Sequence, residues 1–441
     1  MPQPAPSAAV AAGLPTALRR KVALRLLPYL FLIYIVAFLD RANVSYAALG
    51  MAHDLGFSAQ VMGAGFGIFF WGYFIFEVPS TLMVERWSAR KWMSRIMVTW
   101  GLVASSLGFI HSAHAFLALR FLLGLGEAGF FPGMIVYLSH WFTEQDKAKA
   151  IGLFYTAVPI AFIVGAPLSG VIMRVHWLGL AGWRWVFLLE GVPAIVLGVA
   201  NLWMLTDWPR QAAWLTAAER DLLEAKLEGE KSRKTQHVPA LGWLRHPVVL
   251  KMTLIYFFAC TGSYGFGLWL PTMLKGLTGF SVTTITLLAA LPYVASLIGV
   301  VLVGWNSDRT GERRWHVAIP FFVMAAGLSL GSVFRVSGLG WVLFGFILVG
   351  AGVYSYIPSF WALLGRHLSG TAAAVAIGLV NSLGNLGGFF GPYLMGYVQT
   401  HTGSFRVAMG ILMAVTILAG GLVLTLPQTP APAGDAARLS G

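Results

Sequence analysis

Six charged residues lie within long apolar stretches of the sequence, where a charge is energetically costly. Even on lenient scales, a charged side chain at the centre of a bilayer costs about 3 kcal/mol, so each of these residues requires a partner or a function. Carboxylates and guanidinium groups that meet in such surroundings can bind ions and exchange protons. The six residues are Asp40, Arg41, Glu77, Arg120, Glu127 and Glu190.

Four of these residues, here called the charged quartet, are Asp40, Arg41, Arg120 and Glu127. Their spacing predicts which of them share a helix face. Arg120 and Glu127 are seven residues apart, which on an α-helix leaves them within about 20° of each other and about 10 Å apart along the axis. We expect both to face one cavity. Asp40 and Arg41 are adjacent and diverge by about 100°, so they cannot pair on one face. Asp40 should therefore find a partner on another helix, and Arg120 is the obvious cation.

Charge counting connects the quartet to a mechanism. With both carboxylates ionised the four charges sum to zero, and with both protonated they sum to +2. A cavity that gains positive charge binds an anion more tightly, and by linkage the anion raises the proton affinity of the carboxylates. This favours coupled movement of protons and an anion. The alternative is a structural ion-pair network that only locks helices together. For Glu77 and Glu190, which lie nearer the helix ends, a structural role is the preferred interpretation.

Neutral polar side chains near the end of the sequence could complete a binding site. Asn381 and Asn385 are spaced i, i+4, beside Ser382, and amides both donate and accept hydrogen bonds, which suits a hydroxylated molecule. A ring such as Trp361 can pack on the C–H face of such a molecule, and Tyr73 could add a hydroxyl group. The alternatives are that the aromatic residues only pack and that the Asn pair clamps two helices together.

The elements that carry these residues are membrane helices. Of 441 residues, 57% are hydrophobic and 11% charged, and the mean hydropathy is +0.74. Twelve spanning helices of about 20 residues need about 240 residues, close to the apolar content. A soluble enzyme, a single-span anchor and a β-barrel are all excluded. The twelve apolar runs are 22–45, 59–83, 92–111, 115–138, 150–173, 184–206, 249–274, 283–305, 316–334, 339–364, 371–398 and 405–426.

The basic residues predict the orientation. Connections on the side of the N-terminus hold 23 of the 30 Lys and Arg residues, and connections on the opposite side hold five. By the positive-inside rule, both termini should be cytoplasmic in a multi-pass protein of the cell (inner) membrane. The net charge of +13 is therefore a topology signal, and a nucleic-acid partner is not expected.

A polar stretch divides the spans six and six. Residues 207–248 contain the capping-box pattern Thr216–Glu219, which predicts a cytoplasmic helix over 217–231. The expected units are a six-helix half over 22–206, this linker and a six-helix half over 249–426, with disordered tails at 1–21 and 427–441. Pro167 and Pro392 are 225 residues apart between glycines, which indicates that the two halves are pseudo-symmetric repeats.

Several segments in combination resemble the major facilitator superfamily, and within it the anion:cation symporter family, in the branch that carries tartrate, galactonate and related sugar acids. The loop GWNSDRTGERR (304–314) resembles the superfamily loop signature, and VERWSARK (84–91) is its degraded copy, with Glu85 for the usual Asp and Ser88 for the usual Gly. The other segments are FLDRANVSYA (38–47), GYFIFEVPS (72–80), RFLLGLGEAGFFPG (120–133), AAWLTAAER (212–220) and NSLGNLGGFFGPYLMG (381–396).

The resemblance implies a major facilitator fold of twelve transmembrane helices and a role for each candidate residue. Asp40 and Glu127 would carry protons, and Glu85, Arg86, Asp308 and Arg309 would gate the cavity. Arg41 and Arg120 would be charge partners or substrate ligands, and Tyr73, Trp361 and Asn381 would contact the substrate; Asn385 is a further substrate-binding candidate from its spacing. The expected function is proton-coupled symport of a small organic anion, such as tartrate or an aldonate, by a monomer with no cofactor, no metal and no enzymatic activity. The alternatives are an organic-anion or phosphate exchanger and a passive facilitator or channel.

Overall fold

The computed structural model describes residues 14–231, 246–333, 338–367 and 370–427, and within these ranges it is all helical, without strands. The predicted tails therefore lie largely outside the described residues. The first half comprises α1 (Thr16–Asp54), α2 (Ala59–Arg86), α3 (Ala89–Ser106), α4 (Ala113–Glu127), α5 (Phe130–Ser139), α6 (Glu144–Ile172) and α7 (Gly182–Met204).

The linker contains α8 (Ala217–Lys231), and the second half follows it. The second half comprises α9 (Pro247–Leu277), α10 (Val282–Thr310), α11 (Arg314–Val333), α12 (Leu339–Gly352), α13 (Ile357–His367), α14 (Gly370–Asn385), α15 (Gly387–Thr402) and α16 (Phe405–Leu424). Three predicted spans are pairs of short helices joined at a break: α4 with α5 in the first half, and α12 with α13 and α14 with α15 in the second half.

Ten segments of the described chain are long and apolar enough to cross a membrane. Two predicted spans are not among them, for local reasons. Helix α3 is short and carries Arg90, Lys91 and Arg95 near its start, and the span predicted over 371–398 is divided at Leu386 into α14 and α15, of 16 residues each. The fold class, a multi-pass all-α membrane protein, is confirmed.

The described chain begins and ends on one face of the molecule, here called the tail face, where α2 also ends; α1 ends on the opposite, far face. Helix α8 begins at the predicted capping box: Glu219 N–H donates to Thr216 Oγ1 at 3.3 Å, and Thr216 N–H donates to Glu219 Oε2 at 2.8 Å. Lys21 Nζ lies 2.7 Å from Glu219 Oε2, and this hydrogen bond is the main reason that the pKa of Glu219 is lowered. The contact attaches the linker helix to the start of α1.

The predicted disorder of residues 1–21 is wrong for residues 16–21, which form the first turns of α1. Leu18 is buried and Arg19 forms an ion pair with Asp146. These two contacts explain why the helix begins at Thr16, before the apolar run.

The two halves pack most tightly near the far face. Helices α2 and α15 approach so closely that a Cβ atom on Gly63 would lie 2.5 Å from the carbonyl oxygen of Pro392, and one on Gly396 would lie 2.3 Å from that of Ala59. Lys275 Nζ, at the end of α9, donates to the backbone oxygen of Leu49 in α1 at 2.6 Å. Glycines therefore allow the backbones of the two halves to meet here.

Candidate functional site

An ion pair lies in the wall of a cavity between the two halves. Arg41 Nη2 is 2.6 Å from Glu127 Oε1, and Arg41 Nε donates to the same oxygen at 2.6 Å. The Glu127 side chain is 1% exposed and that of Arg41 15%, so the guanidinium keeps one edge open. Its carbon atom also lies 5.0 Å from the ring centre of Phe38 and 5.1 Å from that of Tyr73. Arg41 is thus the cation that the cavity presents.

A helix break places Glu127 in this wall. Glu127 is the last residue of α4, and Gly129, two residues on, has the left-handed φ of +81°. Glycine adopts this conformation without steric cost. The chain then resumes as α5, so the carboxylate projects from a helix end into the cavity rather than from a continuous helix.

Asp40 and Arg120 do not form the predicted pair. Asp40 Oδ1 instead accepts from Asn43 Nδ2 at 2.9 Å, because Asn43 is one turn further along the same helix. Arg120 donates from Nε to the backbone oxygen of Gly65 at 2.9 Å and from Nη2 to that of Phe66 at 3.3 Å. The Arg120 side chain is therefore fixed to α2 rather than to Asp40.

The prediction that Arg120 and Glu127 face one cavity is also only partly correct. Glu127 lines the main cavity, whereas Arg120 lines a smaller neighbouring cavity. Arg41 lines both, because it lies between them. Arg120 Nη1 is buried without a hydrogen-bond partner among the described residues. The Nη1 amino group of Arg120 is thus free, whereas Nε and Nη2 each donate one hydrogen bond to the backbone of α2.

The second half contributes neutral groups to the main cavity. Asn381 and Asn385 both line it, as predicted, and the Asn385 Oδ1 atom lies 3.8 Å from the thiol of Cys260. Tyr73 lines the cavity from the first half. Trp361 does not line it; its ring packs against Tyr256, with ring centres 5.3 Å apart. The structure therefore places Trp361 behind the wall.

Glu77 joins the two halves beside this cavity. Its Oε1 atom accepts from Asn381 Nδ2 at 2.6 Å and its Oε2 atom accepts from Ser382 Oγ at 2.6 Å. Glu190, in contrast, accepts from Ser169 at 2.6 Å within the first half. Both carboxylates are buried, but only Glu77 bonds across the interface.

The gating residues lie in the last turns of α2 and α10, on the tail face. Asp308 Oδ1 is 2.6 Å from Arg313 Nη1, and the Arg309 guanidinium lies 5.4 Å from the ring centre of Trp305. In the first half, Arg86 is exposed, and the Glu85 side chain lies outside the described residues. The predicted gating residue Asp308 therefore pairs within the second half in this structure.

Sequence reasoning missed several residues. Asp207, at the end of the first half, accepts from Ser88 Oγ at 2.7 Å and from the Arg90 backbone N–H at 2.8 Å, which attaches the first loop to α7; nothing in the sequence marks it. Tyr256, Cys260 and Tyr264 line the cavity from α9, and their spacing of four residues could have identified one polar face in an apolar helix. Further cavity residues that were missed are Tyr34, Tyr155 and Ser263.

Comparison with known proteins agrees with this architecture. The model of the Major Facilitator Superfamily matches residues 30–281 and 252–440. A protein named "Putative tartrate transporter" from Agrobacterium vitis is 41% identical over 412 residues, which is 93% of this chain and 91% of that protein. The inner membrane transport protein RhmT of Escherichia coli (strain K12) is 35% identical over 412 residues, or 92% and 94% of the two chains.

A solved structure shows the same fold. The crystal structure of a D-xylose-proton symporter superposes with a TM-score of 0.76 at 17% identity, covering 93% of this chain and 99% of that one. With two halves around a central cavity, the fold is that of a membrane carrier. The chain belongs to the Major Facilitator Superfamily, and its resemblance to tartrate transporters is confirmed. It is a multi-pass secondary transporter of organic small molecules rather than an enzyme.

Proposed function

We propose that this transporter is a proton-coupled symporter of a small organic anion. The observation that carries the proposal is the ion pair between Arg41 and Glu127 in the cavity wall. An incoming carboxylate requires the guanidinium that Glu127 holds. Protonation of Glu127 releases Arg41 for the substrate, and a bound substrate in turn favours protonation of Glu127. Proton and anion therefore bind together.

The remaining members of the quartet support this competition. With Asp40 and Glu127 ionised the quartet is neutral, so each proton adds one positive charge to the surroundings of the substrate. Asp40 keeps one carboxylate oxygen without a hydrogen-bond partner among the described residues, and in the proposal it is the second proton carrier. Arg120 contributes its free Nη1 to the anion from the neighbouring cavity.

The substrate that we propose is a hydroxylated acid, a sugar acid or a hydroxy-dicarboxylate such as tartrate. Asn381 and Asn385 supply amides and Tyr73 a hydroxyl group, so substrate hydroxyl groups find both donors and acceptors. The similarity to a protein named as a tartrate transporter agrees with this class. Trp361 would contact the substrate only in a conformation in which its ring leaves Tyr256.

Orientation and gating complete the proposal. The excess of basic residues on the tail face supports cytoplasmic termini in the inner membrane, where the protein works as a monomer. Alternating access exposes the cavity first at one face and then at the other. Asp308 and Arg309, with Glu85 and Arg86 in the first half, act at the helix ends that rearrange when the tail face opens.

Two measurements test the proposal. Thermal shifts of the purified protein with tartrate, galactonate and related acids at two pH values should show tighter binding at the lower pH. In right-side-out vesicles, adding the bound acid should make the external medium more alkaline, because protons enter with it. Acidification would indicate antiport, and no pH change together with equilibrating uptake would indicate a passive facilitator. Uptake that requires a preloaded anion would indicate an exchanger.

A further inference from the structure

Glu77 is a buried carboxylate that the proposed mechanism does not use. It is 3% exposed, and both its oxygens accept from neutral side chains of the other half, Asn381 and Ser382. No ion pair to Glu77 occurs among the described residues. Neutral side chains could hold the two helices together with a smaller free-energy penalty, because burying a charge without a countercharge is unfavourable. The buried carboxylate of Glu77 therefore indicates a functional role beyond helix packing.

The bridge lies between the cavity and the tail face. Tyr73, one turn before Glu77 in α2, lines the cavity, and α2 ends on the tail face at Arg86. On the partner side, Asn381 lines the cavity and Ser382 is buried beside it. The three side chains thus link α2 to α14 on the tail side of the cavity.

Asn381 can bond both to Glu77 and to a molecule bound in the cavity. An amide carries two N–H donors and an oxygen acceptor. One N–H of Asn381 is bonded to Glu77, which leaves the other N–H and Oδ1 for a molecule in the cavity that Asn381 lines. A substrate that bonds to these atoms holds the amide in the orientation that also bonds to Glu77.

We propose that Glu77 positions Asn381 for the substrate and forms, with Asn381 and Ser382, a latch that holds the tail side of the cavity closed. This rests on the proposed function only for the substrate's part. In the transport cycle the latch opens when the cavity faces the tail side, and Glu77 then exchanges its two protein donors for water. A bound substrate makes the latch close more firmly.

The chain contains its own reporter for this opening. Cys260 is the only cysteine, lines the cavity and is 3% exposed. Its rate of reaction with a membrane-impermeant methanethiosulfonate reagent measures how often the cavity opens. In proteoliposomes of known orientation, the reagent can be applied from the tail face or the far face separately, without any substrate.

Glu77→Ala removes the latch, so the tail-side labelling rate of Cys260 should rise by at least about tenfold, the factor that corresponds to about 1.4 kcal/mol. Ser382→Ala, which leaves Glu77 and Asn381 in place, should give a smaller increase. Far-side labelling should not rise. Glu190→Gln is the matched control, because it changes a buried carboxylate that bonds only within the first half, and it should label like the wild type.

Unchanged tail-side labelling in both Glu77→Ala and Ser382→Ala would overturn the latch. Equal acceleration from both faces would also overturn it, because it would indicate general loosening. A variant that fails to fold is recognised by aggregation on size-exclusion chromatography, and Ser382→Ala then decides alone.

The positioning role has its own readout. Saturating tartrate or galactonate, whichever binds, should slow tail-side labelling in the wild type but not in Glu77→Ala. Slowing of the same size in both proteins would overturn the positioning role. If neither acid affects any protein while Glu77→Ala still accelerates tail-side labelling, the latch is supported and the proposed substrate class fails.

Discussion

The membrane interior of the first half holds five buried charged side chains, whereas the buried polar side chains described within the spans of the second half are all serine or threonine hydroxyls. The five are Asp40, Glu77, Arg120, Glu127 and Glu190. The two halves share a fold, so this contrast is not required by architecture. It indicates that the first half supplies the charged groups of the site and that the second half supplies neutral hydrogen-bonding groups.

The same contrast appears at equivalent points of the repeat. Gly129 and Tyr354 are 225 residues apart, the offset of the two prolines, and both have a left-handed φ, +81° and +66°. Each lies at the break of a span. The first break presents Glu127 to the cavity, and the second presents Tyr354 itself. The same left-handed break in the backbone therefore places a carboxylate at the cavity in one half and a phenol in the other.

The largest effect is expected from neutralising Glu127, the carboxylate of the first half that pairs with Arg41. Glu127→Gln frees Arg41 permanently, so the substrate should bind with little dependence on pH, and exchange between preloaded and external substrate should persist. The empty carrier cannot release a proton from position 127, so accumulation driven by a proton gradient should fall to background. Counterflow and gradient-driven uptake in liposomes measure the two activities.

Glu190→Gln is the control for this prediction, since it removes a buried carboxylate outside the cavity lining. It should retain gradient-driven uptake. If Glu127→Gln still concentrates substrate, Glu127 is not an essential proton carrier. If it loses exchange and binding together, its ion pair with Arg41 is structural.

The next largest effect should follow from Arg41→Lys. The charge is kept, but the planar fork that can grip a carboxylate through two hydrogen bonds is lost, which should weaken substrate affinity by roughly tenfold or more. Isothermal titration of the purified variant measures this loss. Arg95→Lys, which changes an arginine that packs over Trp92, should bind normally. Wild-type affinity in Arg41→Lys would make Arg41 a structural partner only.

Much of the charged half could be predicted from the sequence, because a charge in an apolar run stands out without any knowledge of its neighbours. All six charged positions are buried or lie in the cavity wall, and the lining role of Asn381 and Asn385 was predicted from their spacing. The pairing within the quartet could not be predicted. It depends on where α4 breaks and on how closely α2 approaches Arg120, and neither is encoded in a local pattern.

The neutral half was harder to predict, because tyrosines in a membrane helix look like ordinary packing residues. Ser263 and Tyr264 are identified only by the cavity that they line, and the left-handed backbone of Tyr354 is seen only in the structure. The repeat offset gave the symmetry of the fold, but it could not show that a glycine in one half is replaced by a tyrosine in the other.

Tyr354 offers a sharper test of the comparison. A non-glycine residue in the left-handed region costs roughly 1 kcal/mol, so Tyr354→Gly should be more stable than Tyr354→Ala by about that amount, although glycine usually destabilises helices. Melting temperatures of the two variants in one detergent measure the difference. Gly129→Ala should be destabilised by the same strain and by contact with Ser80 Oγ, which an added Cβ would approach to 2.4 Å. Equal stability of the Gly and Ala variants at 354 would show that the break carries no strain.

A smaller effect is expected at the loop of the second half. Asp308→Asn removes the ion pair with Arg313, and because the Asp308 side chain is 74% exposed, the change should slow transport by only about two- to fivefold. Substrate affinity should be unchanged, since the loop lies away from the cavity. Transport rates and binding measured on the same preparation separate the two quantities. An unchanged rate would remove Asp308 from gating.

The loop of the second half also contains an acidic cap that its counterpart in the first half lacks. Glu312 accepts from the backbone N–H of Trp315 at 2.9 Å and from that of His316 at 3.3 Å, and its Oε2 atom lies 2.9 Å from His316 Nδ1. Partial burial raises the pKa of Glu312, but these hydrogen bonds outweigh it, so the pKa is lowered overall. In the first half, Ser88 caps α3 by accepting from the Lys91 N–H at 3.1 Å, and Asp207, just beyond α7, accepts from Ser88 Oγ and from the Arg90 N–H.

The smallest predicted effect follows from the sign of this shift. A carboxyl whose pKa is lowered in the folded state contributes stability above its unfolded pKa of about 4.3 and loses it as the pH falls through the lower folded value. Glu312→Gln should therefore lower the free energy of unfolding at neutral pH by less than about 1 kcal/mol, because the cap is partly exposed. A lower melting temperature measures this loss. The difference from the wild type should shrink below about pH 4 and vanish once the folded carboxyl is protonated. A difference that is constant from neutral to acidic pH would mean that Glu312 acts through packing, and the two loops would then differ in shape rather than in charge.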